Sequence, residues 1–206
     1  MASSAAELEQ VFDSSFPIAV QEALIRCLFG AYKTTFEECA RFPDEEAHDL
    51  RPFYRWVQLR ADLRGIADRF KGVVASAEPY HTLLTAGHVK LTASSVTDPE
   101  DLVRPALYRH AYANESQLEL FLQDSPPPDD ATLYAILKHG PDPAEPRQPS
   151  FAKVVFPTKD CQSYVHEIDL FARFKALVES LRIPQESGAE PEPLVHLRNV
   201  AQKKES

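Results

Sequence analysis

Two short apolar runs lie on either side of a proline-rich loop in the last third of the chain. Residues 131–137 and 151–156 have the length and the β-branched and aromatic content of buried strands. Pro157 ends the second run, because proline cannot donate a hydrogen bond to a strand ladder. Apolar side chains then recur every three or four residues over 165–181, which predicts an amphipathic helix. The segment 131–183 is therefore expected to form two strands and a helix, with one face covered by the rest of the chain.

The first third of the chain has helical periodicity. One apolar stripe follows Pro17, a residue suited to the first turn of a helix, and continues to about Arg41. Asp44 is a suitable cap for a second helix that extends to about Lys71, and Pro52 is expected to kink it or to restart it. Two antiparallel helices packed along their stripes are the predicted arrangement.

The period changes at Gly72, and shorter elements are predicted after it. The expected strands cover 73–75, 80–85, 88–92 and 117–122, and the expected helices are one turn over 98–104 and a longer helix over 105–113.

These elements predict an α+β fold: an N-terminal helical hairpin followed by a mostly antiparallel sheet with packed helices and a mobile C-terminal tail. We expect a helical region at 1–71 and an α+β region at 72–183 that forms one compact domain with the first. Residues 184–193 are rich in proline, glutamate, glycine and serine, and a mobile tail is predicted over 184–206.

Composition narrows the function classes. Hydrophobic residues make up 44% of the 206 residues and charged residues 26%, as in ordinary globular proteins. No apolar run approaches the roughly 20 residues that a membrane span requires, and no secretory signal is recognisable. Cys27 and Cys39 lie twelve residues apart on one predicted helix, too far for a disulfide. A cytoplasmic protein is expected. With only six glycines and no glycine-rich loop after a strand, no nucleotide cofactor is predicted. No metal site is predicted either, because no cysteine or carboxylate lies at a ligand-like offset from the candidate histidines.

The net charge of -9 is unevenly distributed. Residues 1–50 have a net charge of -7, residues 51–114 of +3, and residues 115–206 of -5. The acidic total argues against general nucleic-acid binding by the whole surface, yet it allows one local basic face in the middle third.

The segment 102–114 combines basic and aromatic side chains and has no acid. Its candidate ligand-binding residues are Arg104, Tyr108, Arg109 and Tyr112. Arginine supplies planar donors for phosphate or carboxylate, and tyrosine supplies a stacking face and a hydroxyl. This combination is typical of a surface that binds phosphate or nucleic acid.

A second candidate group consists of His81, His88, Lys90 and His139. His88 and Lys90 share one face of a predicted strand, and His139 follows the end of another. If the strand ends meet, these side chains would bind an anion or act as acid and base.

Arg104 and His110 are separated by five residues. The spacing resembles the Arg-x4–6-His motif of HEPN-type ribonucleases. That resemblance implies an arginine that steadies the phosphate and a histidine that transfers a proton, in a ribonuclease that needs no metal.

The leading hypothesis is a cytoplasmic, non-catalytic binding or regulatory protein. Its local basic and aromatic surface would bind nucleic acid, a phosphate-bearing ligand or an acidic protein partner, without a cofactor and without a membrane. Its site residues would be Arg104, Tyr108, Arg109, Tyr112, His88, Lys90 and His139. One alternative is the ribonuclease-like enzyme that uses Arg104 and His110. A further alternative is a structural subunit of a protein assembly.

Overall fold

The computed structural model describes residues 2–122, 128 and 130–182. The α-helices are α1 (Ala2–Ser15), α2 (Ile18–Cys39), α3 (Asp44–Arg69), α4 (Leu107–Glu115), α5 (Leu170–Arg173) and α6 (Lys175–Leu181). The strands are β1 (Val73–Ala77), β2 (Thr82–Ala86), β3 (Val89–Ser95), β4 (Leu133–Pro141), β5 (Pro149–Pro157) and β6 (Tyr164–Asp169). A short 3₁₀ helix covers Leu118–Leu122.

The six strands form one sheet in chain order, β1 to β6. Neighbouring strands are antiparallel except β3 and β4, which run parallel and are joined by a crossover that contains α4. Gly87, with φ of 50°, forms the tight turn between β2 and β3. The α+β class with an N-terminal helical part and a mostly antiparallel sheet is confirmed.

The central strand β4 is buried on both faces. Leu133, Ala135 and Leu137 belong to the large core, to which α1, α2 and α3 contribute. Tyr134 and Ile136, which alternate with them, belong to a smaller core that includes residues of α4. The sheet is therefore a middle layer, with the N-terminal helices on one side and α4 on the other.

Three local predictions are wrong. Residues 165–181 do not form one helix, because the chain first pairs with β5 as strand β6, and Asp169 then caps α5 by accepting bonds from two backbone N–H groups. Residues 117–122 contain a 3₁₀ helix in place of a strand. Residues 98–104 form turns and bends without a helix. Helix α3 continues through Pro52 without a break, so no new helix starts there.

Other features concern cysteines, membranes and the tail. The three cysteines are buried and free of disulfides. In the described residues, no helix combines the length and the apolar character needed to cross a bilayer. The predicted tail over 184–206 lies outside the described residues.

Candidate anion-binding cleft

A cavity of about 300 Å³ lies where helix α3 meets the carboxyl ends of β3 and β4. In this parallel pair, Ser95 at the end of β3 is in register with His139 on β4. After Ser95 the chain leaves the sheet and crosses over to α4. Clefts at the carboxyl ends of parallel strands, where the connections diverge, are frequent ligand sites. We call this space the arginine cavity, because four of its lining residues are arginines: Arg55, Arg60, Arg104 and Arg109.

Uncharged groups hold these arginines in place. Arg60 Nη2 donates to the carbonyl oxygen of Glu78 at 2.5 Å. Arg109, which is only 8% exposed, donates to the carbonyl oxygen of Arg104 and, at 3.0 Å, to Ser94 Oγ. No carboxylate among the described residues lies within ion-pair distance of any of the four arginines. The cavity therefore carries positive charge that its own wall does not neutralise.

Two of the arginines also have unused donors. The Nε atoms of Arg60 and Arg109 are buried, and within the described part of the chain they have no hydrogen-bond partner. Buried donors in native proteins are almost always hydrogen-bonded to protein or to another molecule. An anion with several oxygens would supply such partners and would offset the charge at the same time.

His81 lines the arginine cavity as an uncharged imidazole. Its ring stacks on Tyr108, with centroids 3.9 Å apart, and its Nε2 lies 3.1 Å from the hydroxyl of Tyr112. Its Nδ1 is buried without a partner among the described residues. Burial lowers the pKa of His81, Glu78 opposes this effect, and the positive charge of Arg109 reinforces it. At neutral pH the imidazole therefore offers a neutral donor or acceptor, depending on its tautomer.

Arg55 is positioned by a buried pair of side chains behind it. Its guanidinium carbon lies 4.2 Å from the centroid of the Tyr32 ring, whose hydroxyl is 2.9 Å from Nδ1 of His139. Burial raises the pKa of Tyr32 to about 12 and lowers the pKa of His139 to about 3. Both groups are therefore uncharged at neutral pH, and the tyrosine face stabilises the arginine by a cation–π contact.

A second cavity of about 700 Å³ adjoins the first. The two share Pro52, Arg55, Ser95 and Arg104 as lining residues, so they form one cleft along α3. The second cavity has mixed charge, and its ionisable lining residues are His48, Arg51, Arg55, Asp101, Arg104 and Asp142.

The structure brings four of the predicted site residues to one cavity. Arg104, Tyr108, Arg109 and His139 all line the arginine cavity. Tyr112 does not line the cavity, but its hydroxyl lies 3.1 Å from Nε2 of His81, which does. The predicted surface combined the segment 105–113 with the polar face of the strand at 88–92, and only residues of the first part line this cavity.

Other predicted site residues lie elsewhere. His88 Nδ1 is 2.9 Å from the carbonyl oxygen of Ala131, and Lys90 donates to Glu115 at 3.0 Å. Neither residue lines either cavity. His110 of the ribonuclease hypothesis also lines neither cavity, whereas Arg104 lines both.

The sequence pattern did not assign the arginines of α3 to the site. Arg51, Arg55 and Arg60 line the two cavities, yet none of them is among the predicted site residues. A usable signal was present, because none of the three has an acidic residue three or four positions away on the helix. Opposite charges three or four positions apart pair on a helix, so these guanidinium groups have no such carboxylate on their own helix.

Comparison with known protein families, with curated proteins and with solved structures finds no match to this chain.

Proposed function

We propose that the protein binds a small anionic ligand, bearing a phosphate group, in the arginine cavity, and that it acts by binding without catalysis. The observation that carries this proposal is the set of four arginines around about 300 Å³ with no carboxylate of the described residues paired to them. Guanidinium groups present planar, paired donors that match phosphate oxygens.

Phosphate is favoured over a carboxylate by the number of donors. The cavity offers the guanidinium groups together with the hydroxyls of Ser94, Ser95 and Tyr108. A phosphate group has three free oxygens and close to two negative charges at neutral pH, whereas a carboxylate has two oxygens and one charge. The larger anion uses more of the donors that the cavity provides.

Isothermal titration calorimetry with inorganic phosphate and with uridine 5′-monophosphate (UMP) tests the proposal. UMP should bind the wild-type chain, and Arg104→Gln should weaken that binding about tenfold or more, because a charge-assisted hydrogen bond contributes about 1.5–3 kcal/mol. Arg104 is exposed and its backbone carbonyl, which holds Arg109, is kept in the variant. The fold should therefore persist.

Arg64→Gln is the matched control, because Arg64 is an exposed arginine of α3 outside both cavities. It should bind UMP like the wild type. Equal weakening by Arg64→Gln and Arg104→Gln, or no binding of either ligand to the wild type at millimolar concentration, would overturn the proposal.

The ribonuclease hypothesis gains no support from the placement of His110 outside both cavities. The hypothesis of an assembly subunit likewise has no observation that favours it over ligand binding.

A further inference from the structure

Helix α3 carries three arginines along the whole cleft. Arg51 lines the second cavity, Arg55 lines both cavities, and Arg60 lines the arginine cavity. At 1.5 Å per residue, their α-carbons are spaced about 6 Å and about 7.5 Å along the helix axis. We call these residues the arginine row. A single phosphate group contacts only part of such a row.

The opposite wall adds positive charge at the junction of the two cavities. Arg104 lines both, and Arg109 lines the arginine cavity. The carboxylates that line the second cavity are those of Asp101 and Asp142. Each is already bonded within its own loop, since Asp101 accepts from the backbone N–H of Asp98 and Asp142 accepts from two backbone N–H groups. These two aspartates keep their negative charge, but the five arginines that line the two cavities outnumber them, so positive charge predominates along the cleft.

Two residues that line the second cavity also have buried polar atoms without a hydrogen-bond partner among the described residues. Arg51 Nε is buried, and the hydroxyl of Thr35, a residue that is only 2% exposed, is buried as well. Neither atom has a hydrogen-bond partner within the part of the chain that the structure describes. Unpaired polar atoms therefore occur beside the second cavity as well as beside the arginine cavity.

Exposed aromatic rings stand beside the arginine row. Trp56 lines the arginine cavity and is 37% exposed, and the ring of Phe53, 62% exposed, lies 5.6 Å from it. The indole N–H of Trp56 donates to the carbonyl oxygen of Tyr80, whose side chain is 76% exposed. Large exposed rings next to a groove of arginines are the combination that binds single-stranded nucleic acid, with phosphates on the cations and bases on the rings.

From these observations we infer that the cleft binds a short single-stranded oligonucleotide, with successive phosphates along Arg51, Arg55 and Arg60 and with bases stacked on Phe53 and Tyr80. The inference rests on the proposed phosphate binding and extends it from one anionic group to a row of them. An acidic peptide would use the arginines, but its charged units carry no aromatic base that could stack on the exposed rings. Nucleic acid therefore accounts for both features.

Fluorescence anisotropy of a labelled octauridylate with the full chain tests the inference. The octanucleotide should bind at least about tenfold more tightly than UMP, because it adds phosphate contacts and stacked bases. Its affinity should fall steeply between 50 and 200 mM NaCl, as expected when phosphate contacts release counterions. An unlabelled octaglutamate peptide serves as competitor, since it has a comparable number of charges and no bases.

Two variants distinguish octanucleotide binding along the arginine row from the binding of a single phosphate group in the arginine cavity. Arg51→Gln should weaken octanucleotide binding about tenfold and leave UMP binding unchanged, because Arg51 does not line the arginine cavity. Phe53→Ala should weaken octanucleotide binding about fivefold or more through the lost stacking. Phe53 lines neither cavity, but its ring contacts that of Trp56, which lines the arginine cavity. Phe42 also lines neither cavity and makes no ring contact with Trp56 in the part of the chain that the structure describes. The matched controls Phe42→Ala and Arg64→Gln, at positions outside both cavities, should therefore bind like the wild type. Circular dichroism and urea unfolding verify that each variant is folded.

The outcomes distinguish the two proposals. If UMP binds and the octanucleotide binds no more tightly, the inference fails and the phosphate-binding function stands. If neither binds, both fail. Equal competition by octaglutamate would overturn the nucleic-acid inference in favour of an acidic protein partner, and so would octanucleotide binding that neither Arg51→Gln nor Phe53→Ala weakens.

Discussion

His139 on β4 illustrates how burial sets the charge of a single residue. It is 3% exposed, and its Nδ1 lies beside the hydroxyl of Tyr32. Burial, with a further contribution from Arg55, lowers its pKa in the folded protein to about 3. Histidine in an unfolded chain titrates near 6.5. Between these values the unfolded chain binds a proton that the folded protein does not, so His139 makes the protein less stable as the pH falls from about 6.5 toward 3.

His139→Asn removes this titration and keeps a side chain that can hydrogen-bond Tyr32. We expect the free energy of unfolding of the wild type to decrease between pH 7 and pH 5 more than that of the variant. The difference approaches about 1.4 kcal/mol per pH unit below the unfolded pKa. Urea unfolding at both pH values measures it. Parallel pH curves for the wild type and His139→Asn would contradict the assignment.

At the scale of elements, Gly140 is fixed by the close approach of β4, β5 and the start of the crossover. A β-carbon at this position would lie 2.5 Å from the carbonyl oxygen of Val96 and 2.6 Å from the ring of Phe151. The backbone of Val96 is itself tied to β4, since its N–H donates to the carbonyl oxygen of His139 at 2.9 Å. The carbonyl group of Val96 therefore cannot move away without shifting the segment that leads to Arg104.

Gly140→Ala should lower the free energy of unfolding by about 1–3 kcal/mol, the usual effect of overpacking a tight site. Gly65→Ala is the matched control within α3, because a β-carbon added there would meet nothing within 4 Å. It should raise the stability by about 0.5–1 kcal/mol through helix propensity. Urea unfolding of both variants checks the opposite signs. A neutral Gly140→Ala would show that the strands separate at this point without strain.

Elements with one strong local pattern were predictable. The apolar runs at 131–137 and 151–156 became β4 and β5, because strands buried on both faces need continuous hydrophobicity. The prediction of one helix over 165–181 is wrong because Val165 and Ile168 fit a helical period as well as a strand. The pairing of this segment with β5 makes its first part a strand. Asp169 was the overlooked signal, since an aspartate before an apolar run is a helix cap.

At the scale of the whole molecule, the cleft depends on segments that are distant in sequence. Arg104, Tyr108 and Arg109 were identified from one short basic and aromatic run. Their partners on α3 were not, because only tertiary packing places α3 at the ends of β3 and β4. Lys90 was assigned to the same surface, yet its ion pair with Glu115 lies outside the cleft. Local composition therefore predicts a group of cationic and aromatic side chains, whereas the fold determines which cations share one cavity.

A charged network also joins the two ends of the described chain. Arg173 of α5 donates to Glu9 and to Asp13 of α1, each at 2.6 Å, and to Gln21 of α2 at 3.2 Å. His166 on β6 lies 3.0 Å from the other carboxylate oxygen of Glu9. The Arg173 side chain is only 24% exposed, so water screens these contacts less than those of an isolated surface pair.

Arg173→Met should therefore lower the free energy of unfolding by about 1 kcal/mol, because it leaves two carboxylates of α1 close together without their shared cation. The loss should shrink in 1 M NaCl, where screening weakens charge interactions between partly exposed groups. Lys175→Met is the control, since Lys175 is 80% exposed and pairs with Glu179 only at 3.9 Å, and its effect should be close to zero. Urea unfolding at low and high salt gives all four values. A loss that is the same at both salt concentrations would indicate that Arg173 acts by packing its aliphatic stem and not by joining α1 to α5 through charge.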